Sequence, residues 1–261
     1  MLPPLFVSRY PELTYADGHV IPVNRNLMNL NSYQALDGNA RGERNECRVY
    51  DLLQSEASTC SELLVLQSLH FPLVKLTLLK NQCSAAFTAE VDAFLDDYNV
   101  ICSCSVNACI CIVGECDFLV LVRGMGAVLM EVKSAVKKRA EAVSQLDRMH
   151  KLVNILFKAS LPAGAAALPD DLPVCKVVCI PGGKTTNTIQ EGIQLGVWHL
   201  YESKISQFKT SWADVCADLA SQVPSQQVVD GFEGFSNLIA GLWSMKSFKG
   251  VLSYKGRIAC S

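Results

Sequence analysis

Two acids and a lysine stand close together in the stretch 114–133. Asp117 is followed by one Val/Leu-rich run, and a second such run leads into Glu131 and, two residues later, Lys133. A short glycine-containing connection separates the runs, so the pattern predicts a β-hairpin. Because side chains alternate between the two faces of a strand, Glu131 and Lys133 share one face.

The position of Asp117 relative to this pair depends on the register of the hairpin. Opposed residues of antiparallel strands face the same side, and a slip of one residue reverses the match. A three-residue loop sets Asp117 opposite Glu131, a five-residue loop sets it opposite Lys133, and a four-residue loop separates the groups. We expect an odd loop, which places all three side chains on one face.

Two carboxylates from neighbouring strands form a hard oxygen site of the kind that Mg²⁺ or Mn²⁺ uses, with water and phosphate oxygens as the remaining ligands. A nearby lysine can orient an attacking water or stabilise developing negative charge. Acids attached to apolar strands are costly unless a partner or an ion compensates them. The pattern therefore indicates phosphodiester hydrolysis, with Asp117 and Glu131 as metal ligands and Lys133 as a catalytic residue.

This arrangement of Asp117, Glu131 and Lys133 resembles the motif of the PD-(D/E)XK nuclease superfamily. The resemblance implies an α/β fold with a restriction-endonuclease-like core, a mixed central β-sheet flanked by helices, and DNA or RNA as the substrate. Gln145, in the A-V-S-Q-L text of the following helix, resembles the Q-L pair that many of these nucleases carry after the lysine strand. The resemblance places Gln145 near the site.

The sequence before Asp117 offers a further acid for the site. Residues 42–55 predict a helix in which Glu46 lies beside the apolar stripe, and a strand is predicted at 62–69. This pair resembles the opening of the nuclease-related (NERD-like) branch of the superfamily, and implies that Glu46 completes the site by holding a metal-bound water. Glu90, on the apolar side of a second predicted helix at 85–98, is the rival, and we favour Glu46.

The helix predicted after Lys133 carries the most basic segment of the chain. Such a face can bind backbone phosphates, whereas many basic helix faces are simply solvated. The formal net charge of −2 excludes a globally basic protein but leaves room for a local patch. We assign nucleic-acid contacts to four of its residues, which are Lys137, Lys138, Arg139 and Arg148.

Composition bounds the class of protein. Half of the residues are apolar, which favours a folded chain, and no stretch approaches the roughly 20 apolar residues of a membrane span. Twelve cysteines without a secretory leader favour free thiols in a reducing cytoplasmic or nuclear compartment. The Cys-x-Cys pairs at 102–104 and 109–111 suggest zinc, but we favour alternating positions of a small hairpin.

The predicted elements divide the chain into three parts. Residues 1–41 form an irregular arm, residues 42–223 a nuclease-like domain with an insertion at about 70–113, and residues 224–261 a C-terminal helix and basic tail. The leading hypothesis is a divalent-metal-dependent nuclease. The alternatives are a catalytically inactive binding or regulatory module of the same fold and a metal hydrolase of another phosphate ester.

Overall fold

A computed structural model gives the chain an α/β fold, in which helices cover both faces of a six-stranded mixed sheet. The predicted fold class is confirmed. In the part of the chain that the structure describes, no helix is both long and apolar enough to cross a membrane. The described residues are 38–60, 62–72, 76, 85–98, 112–160, 171–183, 192–222, 224, 226 and 228–240.

Helices and strands alternate through most of these ranges. Among the described residues, the main helices are α1 (Gly38–Thr59), α2 (Ala85–Asp97), α3 (Arg139–Ser160), α4 (Glu202–Ile205), α5 (Phe208–Ser221) and α6 (228–240). A 3₁₀ turn, Val136–Lys138, precedes α3. The strands are β1 (Leu63–Pro72), β2 (Ile112–Val122), β3 (Gly126–Val132), β4 (Val174–Ile180), β5 (Gly192–Gln194) and β6 (Val197–Tyr201).

The strands lie in the order β1-β2-β3-β4-β6-β5. Neighbours are antiparallel from β1 to β3, parallel from β3 through β4 to β6, and antiparallel again between β6 and β5. β3 is buried along its whole length, because it lies inside the sheet and helices cover both of its faces. This explains why the central strands read as nearly continuous apolar runs and not as alternating ones.

Two apolar cores lie on opposite faces of the sheet. Odd-numbered residues of the β2–β3 hairpin, from Leu119 to Leu129, pack in the core that contains α2, α3 and α6. Even-numbered ones, from Phe118 to Met130, pack in the core that contains α1 and α5. We call these the α3 face and the α1 face. Glu131 and Lys133 continue the odd-numbered row of β3 and therefore belong to the α3 face.

The β2–β3 loop has three residues, so the predicted odd register is confirmed in its shorter form. Val122 pairs with Gly126, and the amide of Met125 donates to the carbonyl oxygen of Val122 at 3.0 Å. Gly126 has a φ of +152°, and a Cβ atom at this position would overlap the backbone carbonyl of Pro173. The loop and the chain entering β4 therefore meet at a position that requires glycine.

The boundaries differ from the predicted ones in several places. The helix expected at 42–55 spans Gly38–Thr59 and is therefore longer at both ends. The first strand continues to Pro72, and the hairpin of β5 with β6 was not predicted. Within the described residues the six cysteines are free thiols. The arm before residue 38, the paired cysteines at 102–111 and the tail after residue 240 lie outside the described residues.

Polar contacts tie α1 to the carboxyl end of the parallel strands. Arg48 donates two hydrogen bonds to the carboxylate of Glu202, at 2.7 and 2.8 Å, and the amide of Gly182 donates to the same carboxylate at 2.6 Å. Asn45 Nδ2 donates to the carbonyl oxygen of Pro181 at 3.4 Å. The first half of α1 therefore lies at the end of the sheet where β3 passes into Lys133, whose amide donates to the carbonyl oxygen of Cys179.

Replacing Gly126 by alanine tests the loop that sets the register. We expect Gly126→Ala to lower the free energy of unfolding by about 2–4 kcal/mol, because a backbone atom, not a mobile side chain, blocks the added methyl group. Gly124→Ala is the matched control. Gly124 also has a positive φ but nothing within contact distance, so its loss is expected to be about 1 kcal/mol. Equal losses in urea unfolding would contradict this account.

The Arg48–Glu202 contact predicts a pH-dependent stability. Hydrogen bonds from Arg48 lower the pKa of Glu202 from 4.5 to about 2. Partial burial acts in the opposite direction, and the hydrogen bond from the amide of Gly182 lowers the pKa further. Because the folded-state pKa is depressed, the stabilisation is present above pH 4.5 and is lost as the pH falls toward 2. We expect Glu202→Gln to cost about 0.5–1 kcal/mol at pH 7, a value reduced for solvent screening, and less at pH 3. Urea unfolding at both pH values measures the difference.

The control for this prediction is Glu62→Gln. Glu62 forms a looser ion pair with Arg123, at 3.4 Å, between side chains that are both about half exposed. We expect a smaller loss of stability at pH 7 than for Glu202→Gln. An equal loss in the two variants, or a Glu202→Gln loss that is the same at pH 7 and pH 3, would contradict the assignment.

Candidate active site

The site begins where β2 and β3 separate. Their backbone pairing ends at Phe118 opposite Met130, and the amide of Val132, two residues after Met130, donates to the side chain of Asp117 at 2.6 Å. The side chains of Asp117 and Glu131 also form a hydrogen bond. The Asp117 carboxylate therefore accepts the hydrogen bond from β3 beyond the last backbone pair of the two strands. Asp117 and Glu131, the two acids predicted to converge, lie in contact.

Lys133 completes the predicted group of three. Its Nζ atom lies 2.7 Å from Glu131 Oε2 and 2.6 Å from Gln145 Oε1. The Glu131 side chain is 2% exposed and that of Lys133 is 13% exposed, so the ion pair is largely shielded from water. Asp117, Glu131, Lys133 and Gln145 therefore form one connected network between the sheet and α3.

The structure adds an acid that the sequence pattern did not single out. Gln145 Nε2 donates to Glu115 Oε1 at 3.1 Å, which extends the network from Lys133 through Gln145 to β2. In the sequence, Glu115 stands two positions before Asp117, the spacing that places side chains on one side of a strand. That spacing was the available signal, but only the position of Gln145 on α3 gives Glu115 its partner.

Burial controls the protonation of the site. Burial, and then the charge of Asp117, raise the pKa of Glu131 to about 8, although Lys133 acts to lower it. Burial also raises the pKa of Asp117, against the amide of Val132 and the charge of Lys133. Burial alone would lower the pKa of Lys133, but the charges of Glu131 and Asp117 outweigh it and raise that pKa. The acid pair therefore favours a bound positive charge.

The donor set fits a hard divalent cation. The site offers two carboxylates that already share a proton, and carboxylate oxygens are the ligands that Mg²⁺ and Mn²⁺ prefer. In the described part of the chain, no group of three or more His, Cys, Asp or Glu side chains is arranged to enclose a metal. Asp117 and Glu131 would hold the cation, and two carboxylates suit an ion that keeps several waters or takes substrate oxygens as ligands.

The two candidate helix glutamates lie in different surroundings. Glu46 is half-buried beside the apolar stripe of α1, as predicted, and α1 packs on the face of the sheet opposite α3. Among the described residues, the groups that act on Asp117 and Glu131 include Lys133 and Glu115. The assignment of Glu46 as a site residue stays a prediction.

Glu90, the rival acid, is placed far from the site. Its Oε1 atom lies 3.7 Å from Nζ of Lys158 near the end of α3. Lys158 comes 13 residues after Gln145 on this helix, which corresponds to about 20 Å along the helix axis. Glu90 therefore joins α2 to the far end of α3 and has no access to the acid pair.

The predicted basic face is divided. Lys137 and Lys138 are exposed in the 3₁₀ turn, and Arg139 Nη1 donates to Gln194 Oε1 at 3.2 Å. Arg148 instead lies over the ring of Tyr98, with its guanidinium carbon 4.6 Å from the ring centroid. A single patch containing all four residues is therefore not what the structure forms, because the helix turns Arg148 toward α2.

A pocket of about 350 Å³ lies away from this network, at the loop end of the hairpin between β1, β2 and α6. None of the site residues lines it. Because its lining contains no acid pair and no buried charge, we place the candidate chemistry at Asp117 and Glu131 and not in this pocket. Its lining residues are Glu62, Leu64, Leu121, Arg123, Gly124, Val229, Phe232, Glu233 and Ser236.

No known protein family, curated protein or solved structure matches this chain.

The raised pKa of Glu131 predicts how stability changes with pH. A carboxyl whose pKa is higher in the folded state contributes most below its unfolded value of 4.5, and this contribution is lost as the pH rises through about 8. In EDTA, we expect wild type to lose stability relative to Glu131→Gln between pH 5 and pH 9, on the order of 2–4 kcal/mol. Urea unfolding at several pH values measures this difference.

The control substitution is Glu90→Gln, which removes an acid outside the site. A difference between wild type and Glu131→Gln that stays constant from pH 5 to pH 9, or that changes no more than the difference for Glu90→Gln, would contradict the buried acid pair.

Proposed function

We propose that this chain is a divalent-metal-dependent nuclease related to the NERD-like branch of the PD-(D/E)XK superfamily. One observation carries the proposal: the carboxyl groups of Asp117 and Glu131 meet where two strands separate, with the Lys133 ammonium 2.7 Å from Glu131. Two acids and an ammonium group at a shielded position are costly to build, which favours a functional reason for them.

The topology supports the proposal. Three antiparallel strands, β1 to β3, lead into α3, which crosses to the parallel strand β4. The resemblance implied this order, with the first acid on the middle strand, the Glu-x-Lys residues on the next one and a glutamine on the following helix. The chain has Asp117 on β2, Glu131 and Lys133 at the end of β3, and Gln145 on α3.

Each residue has a distinct role in the proposed reaction. Asp117 and Glu131 hold the cation, which when bound supplies an acidified water and neutralises charge on the phosphate. Lys133 keeps its ammonium form beside the two acids, and donates a hydrogen bond to the attacking water or to the charge that develops on phosphate oxygen. Gln145 holds the lysine in place through Oε1.

The charge near the site favours a polyanionic substrate. Lys137 and Lys138 are exposed and follow Lys133 closely in the chain, so they extend the positive charge outward from the shielded ammonium. Arg139, at the start of α3, adds a third positive charge on the side of β5. Contacts of this kind fix the position of a phosphate backbone without reading its sequence. We propose DNA or RNA as the substrate.

A cleavage assay tests the proposal. Purified protein is incubated with single- and double-stranded DNA and RNA in Mg²⁺ or Mn²⁺, and we expect cleavage that EDTA abolishes. Asp117→Asn, Glu131→Gln and Lys133→Met are each expected to lower the rate by about 100-fold or more, because each removes a charge placed for the transition state. Glu90→Gln, an isosteric change about 20 Å away, is the matched control and should leave the rate unchanged.

The outcome that overturns the nuclease proposal is the absence of cleavage by wild type in both metals, or cleavage that survives the three site substitutions. Hydrolysis of a small phosphodiester without cleavage of nucleic acid would instead favour the metal hydrolase of another ester.

The low exposure of Glu131, at 2%, favours one second candidate, a non-catalytic binding or regulatory module of the same fold. Asp117 and Lys133 are partly exposed, whereas Glu131 is buried. For such a module we expect nucleic-acid binding in a gel-shift assay that Lys137→Ala and Lys138→Ala weaken, that Asp117→Asn leaves unchanged, and that no metal converts into cleavage.

A further inference from the structure

The Gln145 side chain joins the lysine of the site to an acid on the neighbouring strand. Its Oε1 atom accepts from Lys133 Nζ at 2.6 Å, and its Nε2 atom donates to Glu115 Oε1 at 3.1 Å. Both ends of this short amide are therefore occupied, one by a cation and the other by an anion. The result is a continuous chain of hydrogen bonds from Glu115 to Glu131.

The chemistry of these groups fixes the orientation of the amide. An ammonium group only donates hydrogen bonds, so Lys133 requires the oxygen end of Gln145. The NH₂ end must then point the other way, where a carboxylate is the strongest acceptor available. Glu115 supplies that acceptor, and thereby discourages the rotated form of the amide that would present NH₂ to Lys133.

The same contacts restrict the lysine. An ammonium group has three N–H donors in a fixed arrangement, and Glu131 and Gln145 occupy two of them. With two donors held, the direction of the third is also set. A lysine without Gln145 would keep its contact with Glu131 but would lose the second hydrogen bond that fixes the direction of its ammonium group.

Close packing of α3 on β2 keeps the acid within reach of the amide. A Cβ atom at Gly114 would lie 2.7 Å from Leu152 Cδ2 and 3.4 Å from Met149 Sδ. Met149 and Leu152 follow Gln145 by one and two helical turns and share its side of α3. Because Gly114 has no side chain, α3 can approach β2 closely beside Glu115, where the hydrogen bond to Gln145 forms.

We propose that Glu115 is a positioning residue: it orients the Gln145 amide, which in turn holds the Lys133 ammonium in place. Glu115 does not act as a metal ligand in this role, because its carboxylate faces Gln145 and it forms no metal-holding group of three with the acid pair within the described residues. The consequence for hydrolysis rests on the proposed function, whereas the effect on the lysine does not.

The test that needs no activity is the ¹⁵Nζ NMR signal of Lys133 in the metal-free protein, assigned by its absence in Lys133→Arg. A hydrogen-bonded, shielded ammonium exchanges its protons slowly enough to be seen. We expect Glu115→Ala to abolish the signal or to speed its proton exchange by about 10-fold or more, and Glu115→Gln, which keeps an oxygen acceptor for Gln145, to retain it.

Two further variants separate hydrogen bonding from charge and from misfolding. Glu141→Ala removes an exposed acid that acts on Lys133 only through its charge, and should leave the signal in place. Gln145→Ala should reproduce the effect of Glu115→Ala, and the double variant should be no worse than either single one. A signal unchanged in Glu115→Ala, or changed equally by Glu141→Ala, overturns the proposal.

Activity and metal affinity complete the test. If wild type cleaves nucleic acid, we expect Glu115→Ala to lower kcat by about 10–100-fold with little change in KM, and Glu115→Gln to restore most of the rate. Mn²⁺ affinity should be unchanged in both variants, and a fall in both would make Glu115 a metal ligand and overturn its positioning role. A wild type without cleavage refutes the nuclease proposal and leaves the NMR result standing.

Discussion

The contact between Asp117 and Glu131 is the constraint on which the rest of the site depends. Two carboxyl groups at a shielded position cannot both be charged without compensation, so they must share a proton, gain a lysine or bind a cation. The structure uses the first two of these means, since the acids are hydrogen-bonded and the Lys133 ammonium lies beside Glu131. A divalent cation would replace the shared proton and satisfy both acids.

The hairpin supplies the geometry that makes this contact unavoidable. Its three-residue loop fixes the pairing of β2 with β3, and the requirement for glycine at position 126 ties the loop to the start of β4. β3 is paired with β2 as far as Met130 and with β4 as far as Val132, so the backbone of Glu131 is held in its row by β4. The backbone therefore holds the acid pair in position before any ligand binds.

The two faces of the sheet contribute unequally. α3 supplies Gln145, which connects Lys133 with Glu115, while α1 packs on the opposite face and is anchored to the end of the parallel strands by the contact of Arg48 with Glu202. Glu46 was inferred from a helix pattern, and such a pattern reports only which side of a helix is buried. The role of Glu46 in the site therefore stays a prediction.

The sequence by itself determined the local helices and strands and the fact that Glu131 and Lys133 share one face of β3, because periodicity in strands and helices is a property of neighbouring residues. It predicted the β4 strand at 174–180, the helix after Lys133 and the odd loop, and the structure has all three. It left the loop length open between three and five residues. Only the tertiary structure decided between the two loop lengths. It also decided the distance of Glu90 from the acid pair, the contact of Arg148 with Tyr98 and the place of Glu115 beside Gln145. These last three depend on how α2 and α3 pack, which is a matter of contacts between residues far apart in the chain.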